Sequence, residues 1–373
     1  MLRRHLLAAA AAVATLAAPA FAKAGDAARL GQSAPLVGAG GTTGRQFRDA
    51  AQAWFTAAAR EGALGGHRLE IVSLDDGGQV ERALTNSKLL ASAHGAVGLF
   101  GFVGAGANRE GMQAALEEGL PFVAPVSGMD VLRRRGNAHV YLLRAGHRDE
   151  IRQIIRHTAS IGIARLGLLY EYDSAGWEIR DSFAEAAQDA KLAHVGASVS
   201  RASADVAGAL PVLLAREPQA IVLAANPAAS AALVRAARQA GYGGSFYTVS
   251  TVGGKALFDA LGPLAVGISV AQVVPFPWGG STPIAREFLA FCATAQIEPD
   301  FASMEGYVAA RWLGEAVRRA KPKELTAATL AAALDRMPPM QLGGFPLALS
   351  PETRSASAFV ELTVVGSAMR FIK

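Results

Sequence analysis

The chain has 373 residues, 51% of them hydrophobic and 18% charged, with 40 glycines and 17 prolines. That composition excludes a disordered or fibrous protein and leaves room for two domains, each with its own core. A formal charge of +5 is mild, and the longest basic run, Arg133-Arg134-Arg135, lacks the interleaved aromatics of a nucleic-acid surface.

The first 22 residues stand apart. Arg3, Arg4 and His5 precede an uncharged run over 6–18, and Ala20-Phe21-Ala22 gives the small-x-small ending that a signal peptidase reads. The run is about 13 residues, short of the roughly 20 that span a bilayer. No cysteine follows for lipid attachment, so the sequence predicts export and cleavage after Ala22. Cys292 is the single cysteine, so no intrachain disulfide forms. In the helical-looking stretch REFLAFCATA it reads as a small buried hydrophobe.

Beyond residue 23 short apolar runs alternate with amphipathic stretches. A strand and loop cover ARLGQSAPLVG, a helix 44–61, a strand 67–74, a helix 81–91 and a strand 96–102. A helix over 108–118 leads into the strand LPFVAPV. The pattern then restarts: helix 149–160, strand 165–170, helix 178–190, strand 194–198 and helix 206–216. Strand QAIVLAA, helix 228–240 and strands 244–250 and 267–274 follow. Helices over 303–320 and 326–334 come next, and the Gly/Pro-rich MPPMQLGGFPLALSP precedes terminal strands. Two successive βα units predict an α/β fold with two similar lobes built on parallel sheets. Ligands of such sheets bind at the carboxyl ends of strands. The loops there are rich in Gly, Ser, Thr and Asn, which supply backbone N–H groups and hydroxyls and little for a hydrolase.

Three blocks carry a family likeness. RLGQSAPLVGAGGTTGRQFRDAAQAWFTAAAREGALGGHRLEIVSLDDG resembles the opening of branched-chain amino-acid binding proteins. LFGFVGAGANREGMQAALEEGLPFVAPVSGMDVLR is similar to the next block of that family. LGLLYEYDSAGWEIRDSFAEAAQ resembles the first strand and helix of its second lobe. The chain thus resembles type I periplasmic solute-binding proteins of ABC importers, the leucine/isoleucine/valine-binding-protein-like family.

The resemblance implies two Rossmann-like lobes joined by a three-crossing hinge and closing like a flytrap. The crossings are expected near 144–146, 272–275 and 343–346, giving an N-terminal lobe of 23–144 plus 275–342 and a C-terminal lobe of 145–274 plus 343–373. It also implies a monomeric periplasmic protein without enzymatic activity or cofactor, handing a small molecule to an inner-membrane ABC permease with its ATPase.

Carried onto this sequence, the family's ligand contacts show departures. Ala105 stands where serine is usual, and Gly128 where threonine is usual, with Ser127 adjacent. Ser250 stands where an acid usually meets an ammonium. Thr43 replaces an aromatic, and Ala175 a tyrosine, with Trp177 two residues on. Gly104, Val126, Asn226 and Gln272 join the expected contacts, Arg144 is a candidate from its place at the first crossing, and Phe102, ending the run LFGF, reads equally as cleft or core. A zwitterion would lose several charge-assisted hydrogen bonds, at about 1.5–3 kcal/mol each. The expected ligand is therefore a less polar or non-amino-acid molecule, such as an aromatic or aliphatic acid.

Alternatives from other classes are a periplasmic sensor, a branched-chain amino-acid binder and an exported nucleotide-cofactor oxidoreductase. GAGGTTG at 38–44 follows a strand, but Thr43 stands where GxGxxG needs glycine. The seven histidines show no metal-ligand spacing. Asp75 and Asp76 share one strand end and read as a cap for the next helix or a loop pin. Arg144 and Glu150 could pair across the first crossing, His147 sits beside it, and Phe276 and Trp278 either line the cleft mouth or brace the hinge.

Overall fold

The computed structural model describes residues 27–134 and 136–373, so the export-signal reading and Arg135 lie outside the described residues. The first lobe opens with β1 (Ala28–Ala34), α1 (Thr42–Arg60), β2 (Leu69–Asp75), α2 (Val80–Ser92), β3 (Ala96–Phe100), α3 (Ala105–Glu118), β4 (Phe122–Val123) and β5 (Val140–Tyr141). The strands form a parallel sheet in the order β2-β1-β3-β4-β5.

The second lobe holds α4 (His147–Ser160), β6 (Arg165–Glu171), α5 (Ser174–Asp189), β7 (Ala193–Val199) and α6 (Ala209–Leu214). It continues with β8 (Ala220–Ala224), α7 (Pro227–Gln239), β9 (Ser245–Thr248), α8 (Lys255–Leu261) and β10 (Ser269–Gln272). The chain returns to the first lobe for α9 (Pro283–Ala295), α10 (Phe301–Ala320), α11 (Ala327–Asp335) and the hairpin β11 (Met340–Leu342) and β12 (Phe345–Leu347). Strands β13 (Glu361–Val365) and β14 (Phe371–Ile372) then complete a seven-stranded sheet, β14-β13-β10-β9-β8-β6-β7. In that sheet β13 runs antiparallel to β10 and to β14. Strand β8, AIVLA, is buried along its whole length, as a central parallel strand covered on both faces must be.

Each lobe has its own core. In the first, α1 and α10 approach closely because glycines two turns apart remove the side chains between them. A Cβ on Gly306 would stand 2.1 Å from the Phe47 carbonyl oxygen, and one on Gly314 would stand 2.4 Å from the Trp54 ring. Cys292 is buried in this core, which pushes its thiol up to about 12. The aspartate pair does pin a loop: Asp75 accepts the Leu36 N–H at 2.7 Å, and Asp76 accepts from Ser33 Oγ and the Gly78 N–H at 2.8 Å each.

One expected crossing moves. The stretch 343–346 is a hairpin turn: Gly343 and Gly344 have φ of +54° and +88°, which a two-residue hairpin loop favours. Leu342, Phe345, Leu347 and Ala356 all belong to the first lobe's core. The third passage therefore falls between Ala356 and Val360, where packing against the second lobe begins. The apolar alternation around Gly343-Gly344 expresses a hairpin rather than a linker.

Candidate ligand-binding cleft

The carboxyl ends of both parallel sheets face one another. On the first lobe, the loops after β3 and β4 lead into α3 and into a 3-10 turn over Asp130–Arg133. On the second, the loops after β6 and β9 lead into α5 and α8. Direct contacts join the two sides: Arg109 Nη2 donates to Ser174 Oγ, and the Asp130 N–H donates to Glu178 Oε2 at 2.9 Å.

The floor of this cleft is a buried charge cluster at the first crossing. Arg144, 2% exposed, lies 3.8 Å from Glu150 Oε1 and 3.4 Å from Glu305 Oε2, and it donates to Ser250 Oγ. Glu150 Oε2 in turn accepts the Ser250 N–H at 2.6 Å. The expected pairing of Arg144 with Glu150 is present, but Arg144 has two acidic partners. Burial raises both carboxyls above the usual range, and the Arg144 guanidinium opposes that rise. Two buried carboxyls share this guanidinium, so the cluster depends on Arg144 remaining in place.

His147 joins the two lobes beside this cluster. Its backbone N–H donates to the Gly128 carbonyl at 2.8 Å, and its Nε2 lies 3.2 Å from Thr251 Oγ1. A Cβ on Gly128 would stand 2.2 Å from the imidazole, so glycine at 128 is what leaves room for the ring. Burial, with Arg144 and Arg133 nearby, takes the imidazole down to about 3, so it is neutral at physiological pH.

Other expected contacts fall as follows. Val126 and Ser127 are buried in the loop after β4, where Ser127 Oγ accepts the Met129 N–H at 3.3 Å. Gly104, at φ +101°, precedes α3, and Ala105 is its exposed first residue; no side chain caps this N-terminus. Thr43 lies in the first turn of α1 and is half-buried. Ala175 packs against the first lobe.

Four residues do not line the floor. Phe102 is fully buried in the first lobe's core, edge-on to Phe122 at 5.3 Å. Trp177 is 40% exposed and packs edge-on to Tyr172 at 5.5 Å. Asn226 caps α7 and donates to Glu171 at 2.8 Å. Gln272 is buried within its sheet against Thr363 at 3.4 Å.

Sequence reasoning missed Glu305 and Thr251. Glu305 is the one acidic residue in FASMEGYVAARW, a run whose members from 303 to 310 are all buried, and that mismatch was its only signal. Trp278 bridges the lobes, packing 5.3 Å from Phe301 of α10 and stacking 5.9 Å from Phe371 of β14. Among the described residues, no three His, Cys, Asp or Glu side chains come together as a metal site.

Two α/β lobes meeting at their strand ends over a shared hinge define a two-lobed binding protein of the flytrap type. A family model described as periplasmic binding protein matches residues 27–367, and the chain belongs to that family of ABC-transporter solute-binding proteins. Among solved structures it is similar to a possible leucine/isoleucine/valine-binding protein from Rhodopirellula baltica SH 1, with 26% identity and a TM-score of 0.86 over 95% of this chain and 98% of that one. It is 30% identical to a substrate-binding periplasmic protein from Ralstonia solanacearum, with a TM-score of 0.83 over 92% and 99%. An ABC-transporter solute-binding protein from R. palustris in complex with benzoate shares the fold at 18% identity, with a TM-score of 0.79 over 93% and 95%. Nothing matches among curated proteins.

Proposed function

We propose that this protein is the periplasmic substrate-binding component of an ABC importer, and that it captures a small organic acid lacking an α-ammonium group between its lobes. The observation that carries this reading is the state of Ser250. A serine stands where the family resemblance places an ammonium-binding acid, and it is bonded to Arg144 and Glu150. An ammonium there would meet a guanidinium. The uncapped start of α3 at Gly104 and the Ser127 hydroxyl favour a carboxylate on the first-lobe side. Gly128, beside the His147 ring, contributes backbone alone. The benzoate bound by the R. palustris protein of the same fold is an acid of this kind. In this reading residues 1–22 are a cleaved export signal, and the protein works as a monomer with an inner-membrane permease and its ATPase.

A thermal-shift panel on residues 23–373 tests the ligand class, with benzoate, other aromatic acids and aliphatic acids set against leucine, isoleucine and valine. A ligand at about 100 times its Kd adds about 2.7 kcal/mol of stability. The expected hits are acids without an amino group, and tight leucine binding would overturn the reading. The mass of the protein recovered from periplasm tests cleavage after Ala22.

A further inference from the structure

Ser174, Ala175 and Glu178 stand at i, i+1 and i+4 in the first turns of α5, and all three meet the first lobe. Ser174 Oγ accepts from Arg109 of α3, Ala175 packs on the cluster that includes Leu132, and Glu178 Oε2 accepts the Asp130 N–H at 2.9 Å. The 3-10 turn over Asp130–Arg133 starts after Met129, which gives it no side-chain cap. Glu178 supplies from the other lobe the acceptor that the turn's own sequence lacks.

Charges of opposite sign surround this contact. Arg134 lies 3.7 Å from Glu178, and Arg148 of α4 lies 3.8 Å from Asp130. The Glu178 side chain is 22% exposed and that of Arg148 44%, so these pairs stay in reach of water. Pairs of this kind are worth about 0–1 kcal/mol each, and such contacts break and re-form readily.

We propose that this face of α5 is the latch of the closed form. Glu178, capping the first-lobe turn, and Arg109, holding Ser174, set the fraction of molecules with the lobes together and so the residence time of the ligand. Glu178 is a positioning residue that acts through closure and not through ligand contact. This inference rests on the reading of the cleft as a ligand site, but its primary test does not require a ligand.

The test is an interlobe distance distribution from spin labels at Lys88→Cys on α2 and Gln188→Cys on α5, both exposed, in residues 23–373. Glu178→Ala and Arg109→Ala are each expected to move weight to longer distances. Glu178→Gln still accepts an N–H and is expected to keep the parent distribution. Unchanged distances in both alanine variants would overturn the latch. If Glu178→Ala does not fold, Arg109→Ala, at an exposed position, decides alone. With benzoate or another acid that binds, Glu178→Ala is expected to raise the dissociation rate about three- to tenfold at an unchanged association rate. An equal rise in Glu178→Gln would overturn the capping role. A panel without hits would defeat the ligand reading while leaving the distance result to judge the latch.

Discussion

The two places where the lobes touch are built from opposite materials. At the hinge floor, Arg144, Glu150 and Glu305 form a charged cluster almost wholly removed from water, with half-buried Ser250 bonded to it. At the rim, Arg109, Ser174, Glu178, Asp130 and Arg148 make single hydrogen bonds and long ion pairs in partial contact with solvent. A buried charge that loses its partner costs several kcal/mol, whereas an exposed pair that separates is rehydrated at little cost. The floor therefore suits a permanent pivot, and the rim suits a contact that opens and closes.

That contrast can be broken most severely at Arg144. Arg144→Met leaves two buried carboxyls facing each other and is expected to cost about 3–5 kcal/mol, read as the shift of a urea unfolding midpoint. Gly128→Ala drives a Cβ into the His147 ring and is expected to cost about 1–3 kcal/mol, with His147→Ala restoring most of the loss by vacating the space.

A smaller effect appears with pH. His147 is neutral in the folded protein down to about 3 but gains a proton near 6.5 when unfolded. Its contribution to stability is thus complete above 6.5 and is lost as pH falls from there towards 3. The raised carboxyls of Glu150 and Glu305 act oppositely: their contribution is complete below 4.5 and is lost as pH rises through their elevated values. Comparing wild type with His147→Asn removes the histidine effect alone. The variant is expected to lose less stability between pH 6.5 and 5, by on the order of 1 kcal/mol.

The rim changes should barely register in unfolding experiments. Glu178→Ala is expected to move stability by less than about 1 kcal/mol while opening the lobes, and a loss as large as that of Arg144→Met would erase the distinction between latch and pivot. Trp177→Ala sharpens the comparison from outside it. Its ring is 40% exposed and paired with Tyr172, so stability should stay within about 0.5 kcal/mol.

Most of the fold was legible because its signals are local. Helix and strand periodicities placed α1, α2, α7 and α10 within a few residues of their observed bounds. The short helix α8 escaped because seven residues between glycine-rich turns carry too little periodicity. The site was less legible. Ser250 and Gly128 were named from the family resemblance and Arg144 from its place at the first crossing, but their partners are fixed by contacts across long stretches of chain.

By itself the sequence determined two α/β units, a single buried cysteine and an aspartate pair at one strand end. These follow from patterns that repeat every two or 3.6 residues, or from residue types alone. The tertiary structure decided that Glu305 joins Arg144 over a separation of 161 residues, and that Phe102 is core. It also decided that Trp177 pairs with Tyr172 and that the chain makes its third passage after a hairpin. Those outcomes depend on which faces the two lobes bring together, and no local period encodes the packing of one lobe on the other.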